Sequence, residues 1–311
     1  MAKSDAKTDA FEQARPRLMG IAYRLLGTLS EAEDAVQDTA CRWFVGGFEE
    51  PENPVAWLSR VCTNRCLDIL KSAQRARTDY IGPWFPDQFQ LEGEGLASPE
   101  EQLALSSSLN TAFLLLLERL SPKERAAYIL HDIFAMHFGD VAEALDLSEA
   151  ACRKLASRAR QMVTREEVRF VPEPEIQNHL LTLFRETLNS GDASHLAEAL
   201  SQDVRLRADS GGKAVAIREV LSGYDAVVRF VLKVLVGAWG QGKAVLETRS
   251  VNGLPGLVIH KEGKLLAAVS FAFTAENRIA DIFVLRHPDK LEQLVGTSLQ
   301  SRGTGLLPAS E

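Results

Sequence analysis

The stretch from Asp140 to Arg160, DVAEALDLSEAACRKLASRAR, most constrains the fold, because its pattern predicts two short helices joined by a tight turn. Ser148 is suited to capping the second helix, and Glu149 to its first turn, where the helix dipole favours negative charge. At 100° per residue, one face of this second helix is apolar and the opposite face is small and basic. The helix carries four basic residues and one acidic residue. This pattern predicts a polar face that is free to meet an anionic partner.

The small basic face carries the hydrogen-bond donors that DNA phosphates and base edges accept. A helix-turn-helix motif presents such a face to the major groove. An ordinary helical hairpin with a solvated basic face has the same pattern, and the turn holds Asp146 where Gly is frequent. On this stretch alone, the two interpretations are open with even weight. The candidate contacts to duplex DNA are Ser148, Glu149, Arg153, Lys154, Ser157, Arg158 and Arg160.

A second polar surface is predicted on an earlier helix, which Asn53 caps and Pro54 begins. Steps of three and four place an aromatic ring, an amide and two cations on one stripe of this helix. Such a stripe suits melted, single-stranded nucleic acid through stacking, hydrogen bonds and charge. The alternative is that Trp57 packs against the neighbouring helix. The stripe consists of Trp57, Arg60, Asn64, Asp68 and Lys71.

A helix that precedes the one capped by Asn53 is predicted to begin with a capping box, Ser30 with Glu33. Away from its apolar side, it carries Asp34, Gln37 and Asp38 close together. This acidic patch suits docking of a basic partner, but its spacing favours a solvated face. The first ten residues are polar, and we expect them to be disordered.

The whole chain of 311 residues predicts two or three domains. Its net charge of −7 argues against coating nucleic acid by charge alone, so a partner is expected to supply affinity for DNA. No apolar run approaches the roughly 20 residues of a membrane span, and no secretory signal is visible, which predicts a cytoplasmic protein. Cys62 and Cys66 lie one helical turn apart, but they lack His or Cys partners nearby. We interpret them as buried apolar residues, and no metal or cofactor is predicted.

The last part of the chain, after Pro172 and Pro174, changes character. An amphipathic helix over 176–188 is followed by segments of period two, including strands over 244–251, 256–260, 265–273 and 279–285. Helices followed by a mostly antiparallel sheet indicate an α+β domain. No spacing of its acids and histidines demands catalysis, so an enzyme is not expected. The acid–base candidates are Asp203, Asp209, Asp225, His260 and Asp281.

Two segments resemble region 2 of the extracytoplasmic-function (ECF) sigma factors: LMGIAYRLLGTLSEAEDAVQDTACRWF and NPVAWLSRVCTNRCLDILKSAQR. A third, LSPKERAAYILHDIFAMHFGDVAEALDLSEAACRKLASRARQMV, resembles region 4 of the same family. The resemblance implies that core RNA polymerase and promoter DNA are the partners. It implies that Asp34, Gln37 and Asp38 bind polymerase and that the polar stripe holds the melted minus-ten element. The helix-turn-helix would then read the minus-thirty-five element.

Three short motifs are similar to those of the ECF subgroup with a fused SnoaL-like domain, which has a cone-shaped fold: WFP in the linker, DSGGK and HPDKL. Ser210 and His287 depart from the subgroup pattern, which has Gly and Asn there, and Asp87-Gln88 stands where Glu-Pro would follow. The resemblance implies that this domain contacts regions 2 and 4 and modulates sigma activity. Lys213 and Lys290 are expected to pair with acids of the sigma regions or to solvate turns. The implied regulatory residues are Trp84, Phe85, Pro86, Asp209, Gly211, Gly212, Lys213, Pro288, Asp289 and Lys290.

The expected organisation is therefore multidomain. Region 2 spans 1–80, a linker 81–108 and region 4 109–168; these two regions are all-α, and a SnoaL-like α+β cone spans 176–311. The expected function is promoter-specific transcription initiation, modulated by the fused domain. The alternative is a transcription regulator whose cone is a ligand sensor or a small-molecule enzyme, with an unidentified small ligand as a further partner.

Overall fold

The computed structural model describes residues 2–46, 51–78, 80–87, 110–165 and 170–300. These residues form two compact units, one with 2–78 and 113–165 and the other with 80–87, 110–112 and 170–300. Most of the predicted linker over 81–108 lies outside the described residues. Within the described ranges, no helix has the length and apolar character that crossing a membrane requires.

The first three helices of the helical unit are α1 (Ala2–Leu26), α2 (Leu29–Val45) and α3 (Pro54–Thr78). The expectation of a disordered N-terminus is wrong, because α1 already begins at Ala2. Its early part is tied to α2 by two hydrogen bonds: the Trp43 Nε1 donates to the Lys7 carbonyl at 2.9 Å, and the Lys7 Nζ donates to the Trp43 carbonyl at 3.0 Å. The side chains buried between these helices include Leu18, Ile21, Leu25, Leu26, Trp43 and Leu58.

The ends of these helices follow local capping chemistry, with one correction. The predicted capping box at Ser30 is wrong, because Gly27 ends α1 with a left-handed φ of 78° and α2 already starts at Leu29. Thr28 is the extended residue before α2, and its hydroxyl donates to the Glu31 carboxylate at 2.6 Å. At α3 the prediction is confirmed, since the amide of Ala56 donates to the Asn53 side chain at 3.1 Å.

The helical unit continues through α4 (Thr111–Leu117), α5 (Pro122–Tyr128), a π-helical turn (Ile129–Ile133), α6 (Phe138–Leu145) and α7 (Glu149–Arg165). Asp146 ends α6 in the left-handed conformation, with φ 51° and ψ 57°. Asp tolerates this conformation, so the turn between α6 and α7 forms without Gly. The Ser148 hydroxyl accepts the amide of Ala151 at 3.3 Å, which confirms it as a cap of α7.

The second unit begins with α8 (Pro174–Ser190) and α9 (Ser194–Ala199), and then alternates strands with short helices. These are β1 (Leu200–Asp209), β2 (Leu221–Ser222), α10 (Tyr224–Phe230), a π-helical turn (Val231–Leu235), α11 (Val236–Trp239), β3 (Val245–Val251), β4 (Leu254–Lys261), β5 (Lys264–Phe273), β6 (Ile279–Leu285) and α12 (Pro288–Gln300). The strand order is β2-β1-β6-β5-β4-β3, and every pair is antiparallel except β1 with β6. The predicted α+β class is confirmed.

The parallel pair β1 and β6 decides where two of the sequence motifs meet. Asp209 at the end of β1 is in register with Leu285 at the end of β6. Parallel strands end at the same edge of a sheet, so the loop after β1 and the loop after β6 leave the sheet side by side. DSGGK and HPDKL therefore lie together, although 77 residues separate Asp209 from Arg286, the residue before HPDKL.

Candidate functional site

The carboxylate of Asp209 is the centre of a buried cluster that holds the segment 80–87. It is fully buried and accepts four hydrogen bonds. The donors are the Tyr80 hydroxyl at 2.5 Å, the Phe85 amide at 2.9 Å, the Lys290 Nζ at 2.9 Å and the Gly211 amide at 3.1 Å. We call Tyr80, Phe85, Asp209 and Lys290 the latch, because they join the linker to the C-terminal unit.

The ammonium group of Lys290 is the counter-charge of the latch. Its side chain is 10% exposed, and its Nζ also donates to the Phe85 carbonyl. The same nitrogen lies 4.7 Å from the ring centroid of Trp84 and 5.5 Å from that of Tyr80. A buried cation is tolerated when it is paired with an anion and its remaining donors are satisfied, and ring faces add to this. The linker segment therefore supplies much of what stabilises the Lys290 charge.

Two aromatic contacts pack the latch against the C-terminal unit. Phe85 is fully buried and packs edge-on against Phe283 of β6, with ring centroids 5.6 Å apart. The Tyr80 ring stacks on the His287 ring, with ring centroids 6.3 Å apart. Burial, followed by the hydrogen bond to Asp209, raises the pKa of Tyr80, so the phenol keeps its proton and donates it. Burial lowers the pKa of His287, which favours its neutral form.

Gly211 in the DSGGK turn is required by both backbone and space. Its φ is +55°, and a Cβ there would lie 2.4 Å from Cδ2 of His287. Only a residue without a side chain fits beneath the imidazole at this φ. The next glycine faces the linker, since a Cβ on Gly212 would lie 3.1 Å from the Ile81 side chain.

The two lysines of the motifs do not follow either sequence expectation. Lys213 pairs with Asp289 at an exposed site, and Lys290 pairs with the buried Asp209. Both lysines therefore bind acids of their own unit, which corrects the expectation of pairing with the sigma regions or of merely solvating turns. Pro86 of the WFP motif is buried beside the latch, whereas Pro288 is exposed.

All seven candidate duplex contacts on or before α7 are exposed, while Cys152, Ala156, Ala159 and Val163 form the buried side. The arginines among them pair with acids of the same helical unit. Arg160 lies 2.7 Å from Asp132, and this hydrogen bond raises the pKa of Arg160. Arg158 lies 3.9 Å from Glu124. The arginines of these pairs are exposed and the carboxylates are largely shielded, so both guanidinium groups lie on the surface that would meet DNA.

Arg153 at the start of α7 is positioned differently from the other arginines. It pairs with Glu149 one turn earlier, and its guanidinium lies 4.8 Å from the ring centroid of Phe138. The pair accounts for one acid on an otherwise basic face, and both of its side chains remain more than half exposed. Ser148, Lys154 and Ser157 are exposed beside it.

The predicted stripe on α3 is only partly open. Asn64, Asp68 and Lys71 are exposed, with Lys71 2.9 Å from Asp68, whereas Trp57 and Arg60 are half-buried. Trp57 packs against Trp43 of α2 with ring centroids 5.4 Å apart, as the alternative interpretation supposed. Its ring is thus held by a neighbouring helix while part of it stays accessible.

Within the helical unit, the stripe faces the helix-turn-helix segment. The Arg60 Nη1 lies 3.5 Å from the carboxylate of Glu143 on α6. A groove of about 670 Å³ separates the two segments. It is lined by Asn64, Leu67, Asp68, Lys71, Ser121, Pro122, Lys123, Leu145 and Leu155. The α3 stripe therefore borders this groove through Asn64, Asp68 and Lys71, whereas none of the seven candidate duplex contacts lines it.

The acidic patch on α2 has two exposed members, Asp34 and Gln37, while Asp38 is half-buried. The Asp38 carboxylate lies 2.5 Å from Nε of Arg65 on α3. Asp34 therefore offers the more accessible negative charge to a basic partner, and Asp38 is partly neutralised within the unit.

The paired cysteines and the acid–base candidate Asp281 are buried and make contacts within their own units. Cys62 and Cys66 are fully buried, and burial raises the pKa of Cys66, which suits the predicted apolar role. Asp281 accepts Arg205 at 2.7 Å and lies 3.4 Å from Arg207. Across the described ranges, no group of three or more His, Cys, Asp and Glu side chains is placed to hold a metal ion.

Sequence reasoning did not find Tyr80 and His287 as parts of the cluster around Asp209. The motif WFP begins four residues after Tyr80, and an aromatic residue so close to a docking motif is the signal that was available. The sequence marks His287 only as a departure from a subgroup pattern. Its contact with Tyr80 explains why an aromatic ring is accommodated there.

Comparison with known proteins identifies the helical segments. The sigma-70 region 2 family matches residues 10–76, and the sigma-70 region 4 family matches residues 110–163. The chain is 32% identical over 305 residues to the ECF RNA polymerase sigma factor SigJ of Mycobacterium tuberculosis, covering 94% of each chain. It is 27% identical over 296 residues to the probable ECF RNA polymerase sigma factor SigI of the same species, covering 94% of this chain and 98% of that protein.

A crystal structure of the M. tuberculosis extracytoplasmic function sigma factor SigJ matches the fold with a TM-score of 0.70 at 32% identity. The match covers 92% of this chain and 98% of the SigJ chain. Regions 2 and 4 in this order, followed by a helix and sheet domain, are thus shared along nearly the whole length. The chain belongs to the ECF RNA polymerase sigma factors, with sigma regions 2 and 4 followed by a fused SnoaL-like C-terminal domain.

Proposed function

We propose that the C-terminal domain modulates the sigma activity of this chain by holding the linker between regions 2 and 4. The observation that carries the proposal is the latch, in which a buried Asp209 and Lys290 bind Tyr80, the residue before that linker, and Phe85 within it. A sigma factor must place regions 2 and 4 on separate promoter elements, so the state of the linker bears directly on its activity. This role requires intramolecular contact and no cofactor.

The assignment of the DNA surfaces forms the second part of the proposal. Region 4 reads duplex DNA through α7, chiefly through the exposed Arg153, Lys154 and Arg160; the Arg153–Glu149 pair is exposed on both sides, so a phosphate can replace Glu149 at small cost. Region 2 holds the melted strand along the α3 stripe. Because Arg60 and Glu143 face each other across the groove, we propose that this conformation is the resting one and that polymerase binding separates the two surfaces.

Run-off transcription with purified core polymerase tests the modulation. The full chain is compared with a chain that ends at Pro172 and with the variant Asp209→Ala, using Lys213→Ala as the matched control, since Lys213 belongs to an exposed pair of the same domain. We expect the truncation and Asp209→Ala to change the yield of promoter-specific transcript in the same direction, and the control to match the unaltered chain. Equal yields from all four proteins would refute modulation through the latch.

The surface assignments need separate readouts. Arg153→Ala with Lys154→Ala should reduce promoter use while binding to core polymerase is kept. Asp34→Lys with Asp38→Lys should abolish co-migration with core polymerase on gel filtration. If the α7 variant lost polymerase binding as well, α7 would not act as a DNA reader alone; if the α2 variant still co-migrated, the acidic patch would not be part of the polymerase interface.

The second candidate function is a transcription regulator whose cone senses a small ligand, acting in the cytoplasm with the same polymerase. One observation favours it, an apolar cavity in the C-terminal unit. The buried Asp209 and the paired Asp281 are both committed to ion pairs, which speaks against their use as acid–base catalysts. Transcription by the full chain with and without a bound ligand would separate sensing from modulation by protein contact alone.

A further inference from the structure

The C-terminal unit contains an apolar cavity of about 340 Å³ between the sheet and the helices α10 and α11. Leu206, Phe230, Leu235, Trp239 and Val284 contribute apolar side chains to its wall, and the only charged lining residue is Arg286. Cavities of this size that combine an apolar wall with a single polar group are typical of small-molecule sites.

Arg286 is an unusual cation because its charge is uncompensated. Its Nη1 donates to the Val215 carbonyl at 2.6 Å, while its Nε is buried and has no acceptor among the residues that the structure describes. No carboxylate in the described ranges pairs with it, and burial lowers the pKa of its guanidinium. By contrast, Arg205 on the neighbouring strand pairs with Asp281 at 2.7 Å. The half-buried guanidinium is still partly hydrated, but it borders an apolar cavity and has no paired carboxylate, so the site is suited to an anion from outside the chain.

The geometry of the guanidinium decides which anion fits. Nη1 is occupied by the Val215 carbonyl and Nε is closed to solvent, which leaves Nη2 as the free donor, and a carboxylate oxygen is a strong acceptor for such a charge-assisted hydrogen bond. We propose that this cavity binds a medium-sized apolar carboxylic acid, with its carboxylate on Arg286 and its hydrocarbon part against the apolar wall.

Two features of the cavity support an exchangeable ligand. Val215 is 87% exposed and Val234 is 46% exposed, and both line the cavity. Exposed aliphatic side chains gathered at one opening mark ligand sites more often than scattered ones do. The π-helical turn over Val231–Leu235 places Val234 and Leu235 on the wall, and such turns are frequent at functional sites.

The cavity shares a loop with the linker. Val215, Ala216 and Ile217 line both this cavity and a neighbouring depression of about 450 Å³, to which Ile81 and Gly82 of the linker also contribute. An acid held by Arg286 would therefore rest against the loop that the linker contacts on its other side. This coupling to the latch rests on the proposed modulation, whereas binding of the acid does not.

The binding test uses the full chain and isothermal titration calorimetry with octanoate, decanoate and 4-phenylbutyrate, below the concentrations at which they form micelles. We expect saturable one-to-one binding of at least one of these acids. Decanol, which has the hydrocarbon part but no carboxylate, should bind the unaltered chain at least tenfold more weakly than decanoate. Charge-assisted hydrogen bonds are worth enough that Arg286→Met should weaken binding of the acid by roughly ten- to hundredfold.

Two further variants keep the test decisive. Arg286→Lys keeps a cation but removes the Nη2 donor from its position, and it replaces Arg286→Met if that variant does not fold; we expect it to weaken acid binding about tenfold. Ala216→Phe places a ring on the cavity wall and should abolish binding of the acid while leaving Arg286 in place. Absence of saturable binding of all three acids, equal affinity for decanol and decanoate, or unchanged affinity in the Arg286 variant would each overturn the proposal. Transcription assays measure the modulation separately, so a chain that binds no acid can still respond to Asp209→Ala.

Discussion

Replacing Asp209 with Ala removes the acceptor on which the latch converges. In the variant, the Lys290 ammonium, with its side chain 10% exposed, keeps only the Phe85 carbonyl and two aromatic rings. Removing one member of a buried ion pair costs about 3–5 kcal/mol, because the other charge is left unpaired. The linker segment can leave and let water reach Lys290, so the cost should appear as undocking of the linker and not as unfolding of the domain.

Amide hydrogen exchange of the full chain measures this undocking directly. The Phe85 amide donates to Asp209 at 2.9 Å and should be protected in the unaltered protein. A loss of 3–5 kcal/mol corresponds to exchange over residues 80–87 that is faster by about a hundredfold to a few thousandfold. The control Lys213→Ala breaks an exposed pair with side-chain exposures of 52% and 62%, whose worth of at most about 1 kcal/mol allows a change of no more than about fivefold.

A double variant separates the ion pair from the loss of hydrogen bonds alone. In Asp209→Ala with Lys290→Met no unpaired charge is left, so the linker should be better protected than in Asp209→Ala. If the single variant exchanged no faster than Lys213→Ala, the buried pair would not hold the linker. If the double variant exchanged faster than the single one, the unpaired ammonium would not be the cause.

Three further outcomes follow from the described contacts. Acidification should loosen the linker, because the pKa of His287 lies below its unfolded value of about 6.5 and the unfolded chain therefore binds the proton first. Protection of residues 80–87 from exchange should be full above about pH 6.5 and should decline below it. In the same exchange experiment, His287→Asn should abolish this pH dependence. Gly211→Ala should speed linker exchange at least tenfold, because its Cβ would lie 2.4 Å from His287 at a φ of +55°; exchange at the unaltered rate would show that the turn relaxes freely. Arg125→Met should lower the free energy of unfolding of the helical unit by about 1–3 kcal/mol in urea denaturation, since the Leu25 carbonyl at 2.6 Å loses its buried charged donor and Glu118 at 2.7 Å loses one of its contacts.

Local patterns predicted most elements well, because periodicity and capping depend on residues that are close in sequence. The strand expected over 279–285 is β6, and the expected Asn53 cap of α3 is present in the structure. The turn without Gly formed because Asp146 adopts a left-handed conformation. The N-terminal part of α1 was missed, since its polar residues are ordered by a tertiary contact with Trp43, which no local period shows.

The latch lay beyond local reasoning for a different reason. Tyr80 and Asp209 are 129 residues apart, and Phe85 and Lys290 are 205 residues apart. Resemblance pointed to three motifs but not to how they pair, and the alternation of apolar residues in β1 and β6 gives no sign that these strands are parallel neighbours. The uncompensated charge of Arg286 was invisible for the same reason, because it depends on which acids the fold places near it.

The parallel pairing of β1 with β6 also sets an order of events during synthesis of the chain. The site that receives Phe85 needs β6 and Lys290, which the ribosome adds 205 residues later. At roughly 5–20 residues per second, that interval lasts about 10–40 s. Regions 2 and 4 are therefore complete, with the linker undocked, before the domain that holds it exists. A newly made chain passes through a period without its internal restraint, and any cut or premature stop before Lys290 makes that period permanent.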